Sequence, residues 1–380
     1  MIKQTALILL SVFICLTSNI YGDTIVEPLY IWNKALMPKL EPEIYPTGKH
    51  QIRNIFDFPA DNAIATTREP GNNAITLIGF DEKKLKVTYK TIAKDFTGNV
   101  GGGKQRYLPV FSEDTIGYTQ TRGFILLDLK TKKCDYHVIY SGFEYSIVRV
   151  YVLDAEKRIF VFKLFPSTHE MNNIMRIMQF IDNGAEILGE KEVARSTYLN
   201  YTKNTVFLIR GNDLKAYDIH FKEIDHPFSR KFEQEKDRFP EIHTISIHPD
   251  FPFGVFTDYT KKISEAWMIS WRDPANPVLQ KIFNHSSNFF RFSHNNKWVV
   301  CRDAYHYFLL LVDPELPHFL GPPILLGDVP KYPSGATTTR AITRNPAGLV
   351  VPEWKRDSKG KKVGFLKKWD FTEAEKLIEK

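Results

Sequence analysis

"FFRFSHNNKWVVCRDAYHYFLLLVDP", from Phe289 to Pro314, holds short apolar runs broken at His294-Asn295-Asn296 and closed by Asp313-Pro314. The runs are rich in aromatic and β-branched residues, which suit a pleated, half-buried surface. The breaks are made of residues that turn a chain through local side-chain hydrogen bonds or left-handed backbone angles. The stretch therefore predicts a strand, a polar turn and further strand, ending at Asp313.

The same design recurs outward from it. "RYLPVFSEDTIGYTQTR" and "HTISIHPDFPFGVFTDY" repeat the strand and polar turn. A second element is an apolar strand, an Asp, a short polar turn and another strand. It occurs as "ITLIGFDEKKLKVTY" at Asp81, "FILLDLKTKKCDYHVIY" at Asp128, "IMQFIDNGAEIL" at Asp182 and "LKAYDIHFKEI" at Asp218. It returns as "WMISWRDPANPVLQKI" at Asp273, "FLLLVDPELPHFLGPPILL" at Asp313 and, more weakly, "FLKKWDFTEAEKL" at Asp370. The mean spacing is roughly 48 residues, near the ~40–50 of propeller blades. Aspartate suits the position because its carboxylate accepts from amides two residues on. A residue repeated in every unit reads as structural rather than catalytic.

On these residues "RFSHNNKWVVCRDAYHYFLLLVD" resembles the repeat of WD40-like, TolB-like β-propellers, in which a Phe-Ser-Pro-Asp-Gly-Lys turn precedes a strand and an Asp ends the unit. Ser293, Lys297, Trp298 and Asp313 match; His294, Asn295 and Asn296 replace Pro-Asp-Gly. The resemblance implies a fold and not an activity, since propellers host many functions. The expected fold class is all-β: a single β-propeller of seven blades, with six or eight left open. Residues 51–380 would form it, and residues 23–50 would supply a strand that closes the ring, with "TIVEPLYIW" the candidate and "MPKLEPEIYPTGK" a connection. Closure shields sheet edges that would otherwise stay open.

"MIKQTALILLSVFICLTSNIYGD" has Lys3 followed by an apolar core from Ala6 to Leu16 and small or polar residues to Gly22. This is the layout of a signal peptide over residues 1–22, too short to span a bilayer. Ile14 before Cys15 is not the small residue that lipidation requires. The mature chain is expected to be exported, to the periplasm or outside the cell, with no transmembrane segment. Among 380 residues, 51 are Lys or Arg and 44 Asp or Glu, a formal charge of +7. That excess is mild, and with export it argues against a nucleic-acid partner. Of the three cysteines, Cys134 and Cys301 lie outside the signal. They read as buried free thiols on blades two and six, too far apart on the ring to pair.

Several motifs dissolve under their own chemistry. "GNVGGGKQ" has phosphate-loop spacing, but Gln105 stands where Ser or Thr should follow Lys104, and a strand rather than a helix comes next. "HEMNNIMRIM" gathers Met171, Met175 and Met178 near His169, yet interleaved isoleucines favour packing over a soft-metal site. Asn173 occupies the place of a second zinc-binding His. No metal and no cofactor is expected. Asn200 and Asn284 begin glycan-acceptor patterns, relevant only in a eukaryotic source. "KRDSKGKKVGFLKK" carries seven basic residues: Lys355, Arg356, Lys359, Lys361, Lys362, Lys367 and Lys368. They form a solvated hairpin turning at Gly360 or a patch for an anionic ligand.

No Gly-x-Ser-x-Gly elbow is present, and no catalytic constellation stands out. The first functional expectation is an exported, non-enzymatic, monomeric module that binds a protein or an anionic polymer or glycan. The alternative is a carbohydrate-active propeller, a glycoside hydrolase or lyase, with paired carboxylates near the channel.

Overall fold

A computed structural model describes residues 33–378, leaving aside 49–51, 53–54, 67–74, 94–111, 240–241, 249–250, 260–263, 284–288, 313–318, 329–339 and the single positions 113, 120, 121, 183, 304 and 357. The described strands form seven antiparallel sheets, six of four strands and one of three. Six of the seven follow the chain as simple meanders: residues 55–93, 115–138, 145–193, 198–224, 242–283 and 289–328 are blades 1 to 6. Blade 7 combines strands Ala341–Thr343, Gly348–Arg356 and Lys362–Asp370 with Glu43–Gly48 from the other end of the chain. The protein is an all-β, seven-bladed propeller.

Seven buried hydrophobic clusters lie one between each pair of successive blades. In blade 6, Trp298 and Val300 pack toward blade 7 with Leu349 and Val351. Val299 and Cys301 pack toward blade 5 with Phe253 and Val255. Tyr307 and Leu309 again face blade 7, and Phe308 and Leu310 face blade 5. Successive side chains of a strand point to opposite faces, and here both faces are interior. That is why the opening stretch is continuously apolar instead of alternating. Blade 3 behaves likewise: Phe160 and Phe162 face blade 2, whereas Val161 faces blade 4. Full burial of each large side chain contributes about 1.5–3 kcal/mol.

The recurring aspartates sit at the turn from third to fourth strand. Asp81 accepts from the Lys84 amide (3.2 Å), Asp128 from Lys130 (2.8 Å) and Thr131 (2.7 Å). Asp218 accepts from His220 and Lys222 (both 2.9 Å), and Asp273 from Ala275 (3.0 Å). Asp182 departs from this pattern and instead faces Arg158 at 4.0 Å; Asp313 lies outside the described residues. In the opening stretch Ser293 Oγ accepts from the Trp298 amide (3.1 Å), and Asn296 takes the left-handed turn at φ 58°. His248 of blade 5, nearly fully buried, donates through Nε2 to the Asn296 carbonyl (3.1 Å).

The segment read as a connection is itself the closing strand. Glu43–Gly48 pairs antiparallel with Lys362–Asp370, Glu43 opposite Lys368 and Tyr45 opposite Leu366. "TIVEPLYIW" lies outside the described residues. Ahead of the strand, residues 33–42 run along blade 6, where Leu40 donates to the Leu325 carbonyl (3.0 Å) and Leu325 to that of Pro38 (2.8 Å). The last repeat copy is also half helix. After Asp370 the chain forms α2 (Phe371–Ile378), preceded in sequence by α1 (Pro227–Gln234) between blades 4 and 5. "TEAEKL" is made of strong helix formers, and Asp370 accepts from the Thr372 amide (2.9 Å) at its start. Both cysteines are free thiols, but Cys134 is exposed and only Cys301 buried. Its outer strand, Cys134–Val138, puts Cys134, Tyr136 and Val138 to solvent. A thiol reagent should therefore titrate one cysteine in the folded chain beginning at Asp23 and two after unfolding; two reactive thiols in the fold would contradict the placement.

Candidate functional site

The antiparallel meander puts the turns between first and second strands, and between third and fourth, on one face of the ring. The other turns and α1 occupy the opposite face. First strands line the axis, since those of blades 7 and 1, 4 and 5, and 5 and 6 meet each other while fourth strands lie toward solvent.

The basic hairpin does not form one surface. Its tip, the turn from Arg356 to Lys362 around Gly360 (φ 74°), exposes Lys355, Arg356, Lys359, Lys361 and Lys362. Lys355 lies over the Phe365 ring (5.2 Å) and Lys362 over Trp354 (5.8 Å). Lys367 is paired with Glu353 at 2.5 Å. Lys368 is fully buried, bound to Glu82 (2.7 Å) and Asn62 Oδ1 (2.6 Å) of blade 1. Side chains alternate along the strand, so Lys368 points into the interface of blades 7 and 1 and belongs to ring closure. It leaves the sequence-derived patch, and Lys367 is already neutralised.

An open groove of about 690 Å³ runs between α1 and blade 4. Its charges pair among themselves: Lys215 with Glu223 (3.4 Å), Arg230 with Asp225 (3.0 Å) and Lys236 with Glu233. Exposed pairs of this kind contribute ~0–1 kcal/mol each and leave little net field.

The axis carries a different arrangement. Asp57, at the end of blade 1's first strand, accepts from the Ile342 amide of blade 7 (2.8 Å) and is ion-paired with Arg291 of blade 6. Blades 1 and 6 are not neighbours, so this pair places all three strands at the channel. His294 Nε2 stands 3.5 Å from the same carboxylate. Arg344, in the turn after Ile342, donates to the Pro59 carbonyl (2.9 Å). Arg340 precedes the same strand, at the opposite end from Arg344, where it is bonded to Tyr307 of blade 6 with Arg302 alongside. Burial, then Arg340, pulls the Arg291 guanidinium down to about 10, leaving it charged at neutral pH. Burial first, then Arg291 and Arg344, pushes His294 down to about 4, so its ring is neutral there.

The stretch that names the fold thus also supplies Arg291 and His294 to the surroundings of Asp57. The other acidic residue on a described first strand is Asp154, nearly buried, whose carboxylate accepts from the Lys157 amide (3.0 Å).

The remaining sequence candidates resolve into packing or lie outside the described residues. Met175 and Met178 are buried core residues. His169 contacts Arg195 (2.9 Å). Asn200 donates to the Ile245 carbonyl (2.7 Å), so its amide already serves the interface of blades 4 and 5. The glycine-rich segment at Gly98 and the acceptor pattern at Asn284 are among the residues not described. Among the described residues no group of three metal-ligating side chains converges, and no helix is long and apolar enough to cross a membrane.

A second lowered histidine gives a measurable consequence. His226 caps α1, its Nδ1 accepting from the Phe228 amide (3.1 Å) between the Phe207 and Trp271 rings. Burial holds its pKa at about 4, from an ordinary 6.5. The unfolded chain therefore takes up the proton first, and stability is full above pH 6.5 and falls as pH drops toward 4. About 2 kcal/mol should be lost by pH 5 through this residue, with a smaller share from the partly exposed His294. His226→Asn keeps a capping acceptor and should flatten the loss in denaturation at pH 7 and 5. An unchanged pH slope would assign the acid sensitivity elsewhere.

No family model and no curated protein matches the sequence. Among solved structures, the chain is similar to the AfRom2 CNH domain at 7% identity, over 86% of this chain and 96% of that one, with a TM-score of 0.48. The Swd1 β-propeller domain of Myceliophteria thermophila is similar at 12% identity, over 86% and 99%, with a TM-score of 0.48. A functionally unknown protein from Desulfotomaculum acetoxidans is similar at 12% identity, over 79% and 93%, with a TM-score of 0.49.

Proposed function

We propose that this chain is an exported binding module, a rigid propeller that holds a protein or polymer ligand and performs no chemistry of its own. The observation that carries the reading is the state of Asp57. Its oxygens are taken by a guanidinium and a backbone amide, so it is built to arrange the channel mouth. A glycosidase needs two carboxylates ~5–10 Å apart with room for sugar or water between them. Among the described residues Asp57 meets two basic side chains and a backbone amide, an arrangement unlike the paired carboxylates of the carbohydrate-active alternative. Export rests on the signal-like residues 1–22, and the monomeric state is part of the same proposal.

The test uses the chain beginning at Asp23 as bait in extracts of its native compartment, together with a panel of polysaccharides. Saturable retention of one partner without release of reducing ends is expected. Release of reducing ends that disappears in Asp57→Asn would overturn the reading in favour of an enzyme.

A further inference from the structure

We infer that blade 4 takes an extended peptide of a partner protein as an added strand, laid in the groove between α1 and the edge of the blade's third strand. The inference rests on the binding reading above and names where the partner docks and what chemistry it presents.

Blade 4 is short of strand. The described fourth strands of the other six blades run from five to ten residues, whereas that of blade 4 is Glu223–Ile224 alone. It pairs with Ala216 and Tyr217 of the third strand, Asp213–Tyr217, and the chain then turns away into α1 at Pro227. The outer edge of Asp213, Leu214 and Lys215 is left to the groove.

The register says which backbone groups face that edge. Gly211 and Asn212 make a two-residue turn closed by Arg210 opposite Asp213. A closing pair of this kind exchanges both hydrogen bonds, and bonded and non-bonded pairs alternate away from it. Ile209 and Leu214 are then a non-bonded pair, so the Leu214 N–H and C=O point outward. The Asp218 amide, four residues on and so turned the same way, donates outward to the Lys222 carbonyl (2.9 Å). Among the described residues nothing is bonded to the Leu214 backbone on this side. A donor and an acceptor side by side on a strand edge match another extended backbone.

The walls set the side chains of that peptide. Leu214, Ala216 and Ile224 share the face that packs toward α1, so the peptide residue opposite Leu214 is apolar. The three ion pairs of the groove cancel, and Asp213 is its remaining charge. In an antiparallel strand the next residue lies opposite Asp213, where Lys or Arg is complementary. The partner segment is therefore alternating and mildly basic.

Hydrogen exchange of the folded chain with a blocked synthetic peptide, Thr-Val-Lys-Val-Thr-Val-Lys, tests this. Saturable slowing by about tenfold is expected over residues 212–216, the effect of one added backbone pairing. The same peptide with proline at each valine keeps the charge, lacks those donors and should give no slowing. Gln234→Trp, at an exposed position of α1 on the groove, should block the site, and Gln234→Ala should leave it open. Asp213→Lys should weaken binding several-fold, whereas Lys359→Gln on the distant hairpin should not. Equal slowing by the proline peptide, slowing only outside residues 212–224, or none at all would overturn the added strand. Partner capture that survives Gln234→Trp removes this inference alone; polysaccharide turnover removes the binding-module reading.

Discussion

Tyr45→Ala is expected to destabilise the protein by about 3–5 kcal/mol, the range for emptying a buried aromatic site. Tyr45 is fully buried in the closing strand, edge-on to Phe80 of blade 1 with ring centroids 4.9 Å apart. Its cluster unites Ala341, Val350 and Leu366 of blade 7 with Ile55, Ile64 and Ile78 of blade 1. Removing the ring therefore opens a void at the seam where the two chain ends meet. Its hydroxyl donates to Glu43. Tyr45→Phe keeps the packing and loses that bond, at about 1 kcal/mol. Chemical denaturation of both variants reads the contrast. Equal, small losses would mean that the seam does not depend on this strand.

The second large effect concerns the buried ammonium beside that seam. Glu82→Ala should cost roughly 3 kcal/mol or more, because it strands Lys368 in the interior with Asn62 and the Phe80 face alone. Lys368→Met removes the charge together with its need for a partner, and should cost less than Glu82→Ala. This ordering separates a buried ion pair from a surface one, where both variants would change stability by only tenths of a kcal/mol. The reverse ordering would show that Lys368 reaches solvent.

These two residues also show how far the sequence could be read. The seven blades were legible because the apolar runs and the Asp-bearing turns recur along the chain. Among the described residues, Asp81, Asp182, Asp218, Asp273 and Asp370 each stand at or just after the end of a blade's third strand. The closing strand was not legible in the same way. "EIYPTG" contains Pro46 and Gly48, which weaken a strand pattern, yet proline is tolerated on an outer strand because its missing N–H faces no neighbour. Lys367 and Lys368 are adjacent in sequence and opposite in environment, a difference set by which face of the strand meets blade 1.

The channel mouth was harder still. Asp57 and Ile342 are 285 positions apart, and Asp57 and Arg291 are 234. No spacing rule joins them; only closure of the ring does. A usable signal was present, however. Arg291 interrupts "FFRF" with a charge in a strand whose neighbours are all aromatic, and Arg340 and Arg344 flank "AIT" in the same manner. Arg291 pairs with Asp57 across the axis from such a position, whereas Asp154 on another first strand is nearly buried, so an interruption names a candidate that only the closed ring can sort.

The central claim is that the two ends of the chain close one seven-bladed ring through the strand Glu43–Gly48 and the seam of blades 7 and 1. Hydrogen exchange of the folded chain beside its Tyr45→Ala variant tests it most directly. The account predicts lost protection in peptides covering residues 43–48, 55–66 and 362–370 together, with residues 145–193 on the far side of the ring less affected. Loss confined to residues 43–48, or equal loss at 145–193, would contradict it.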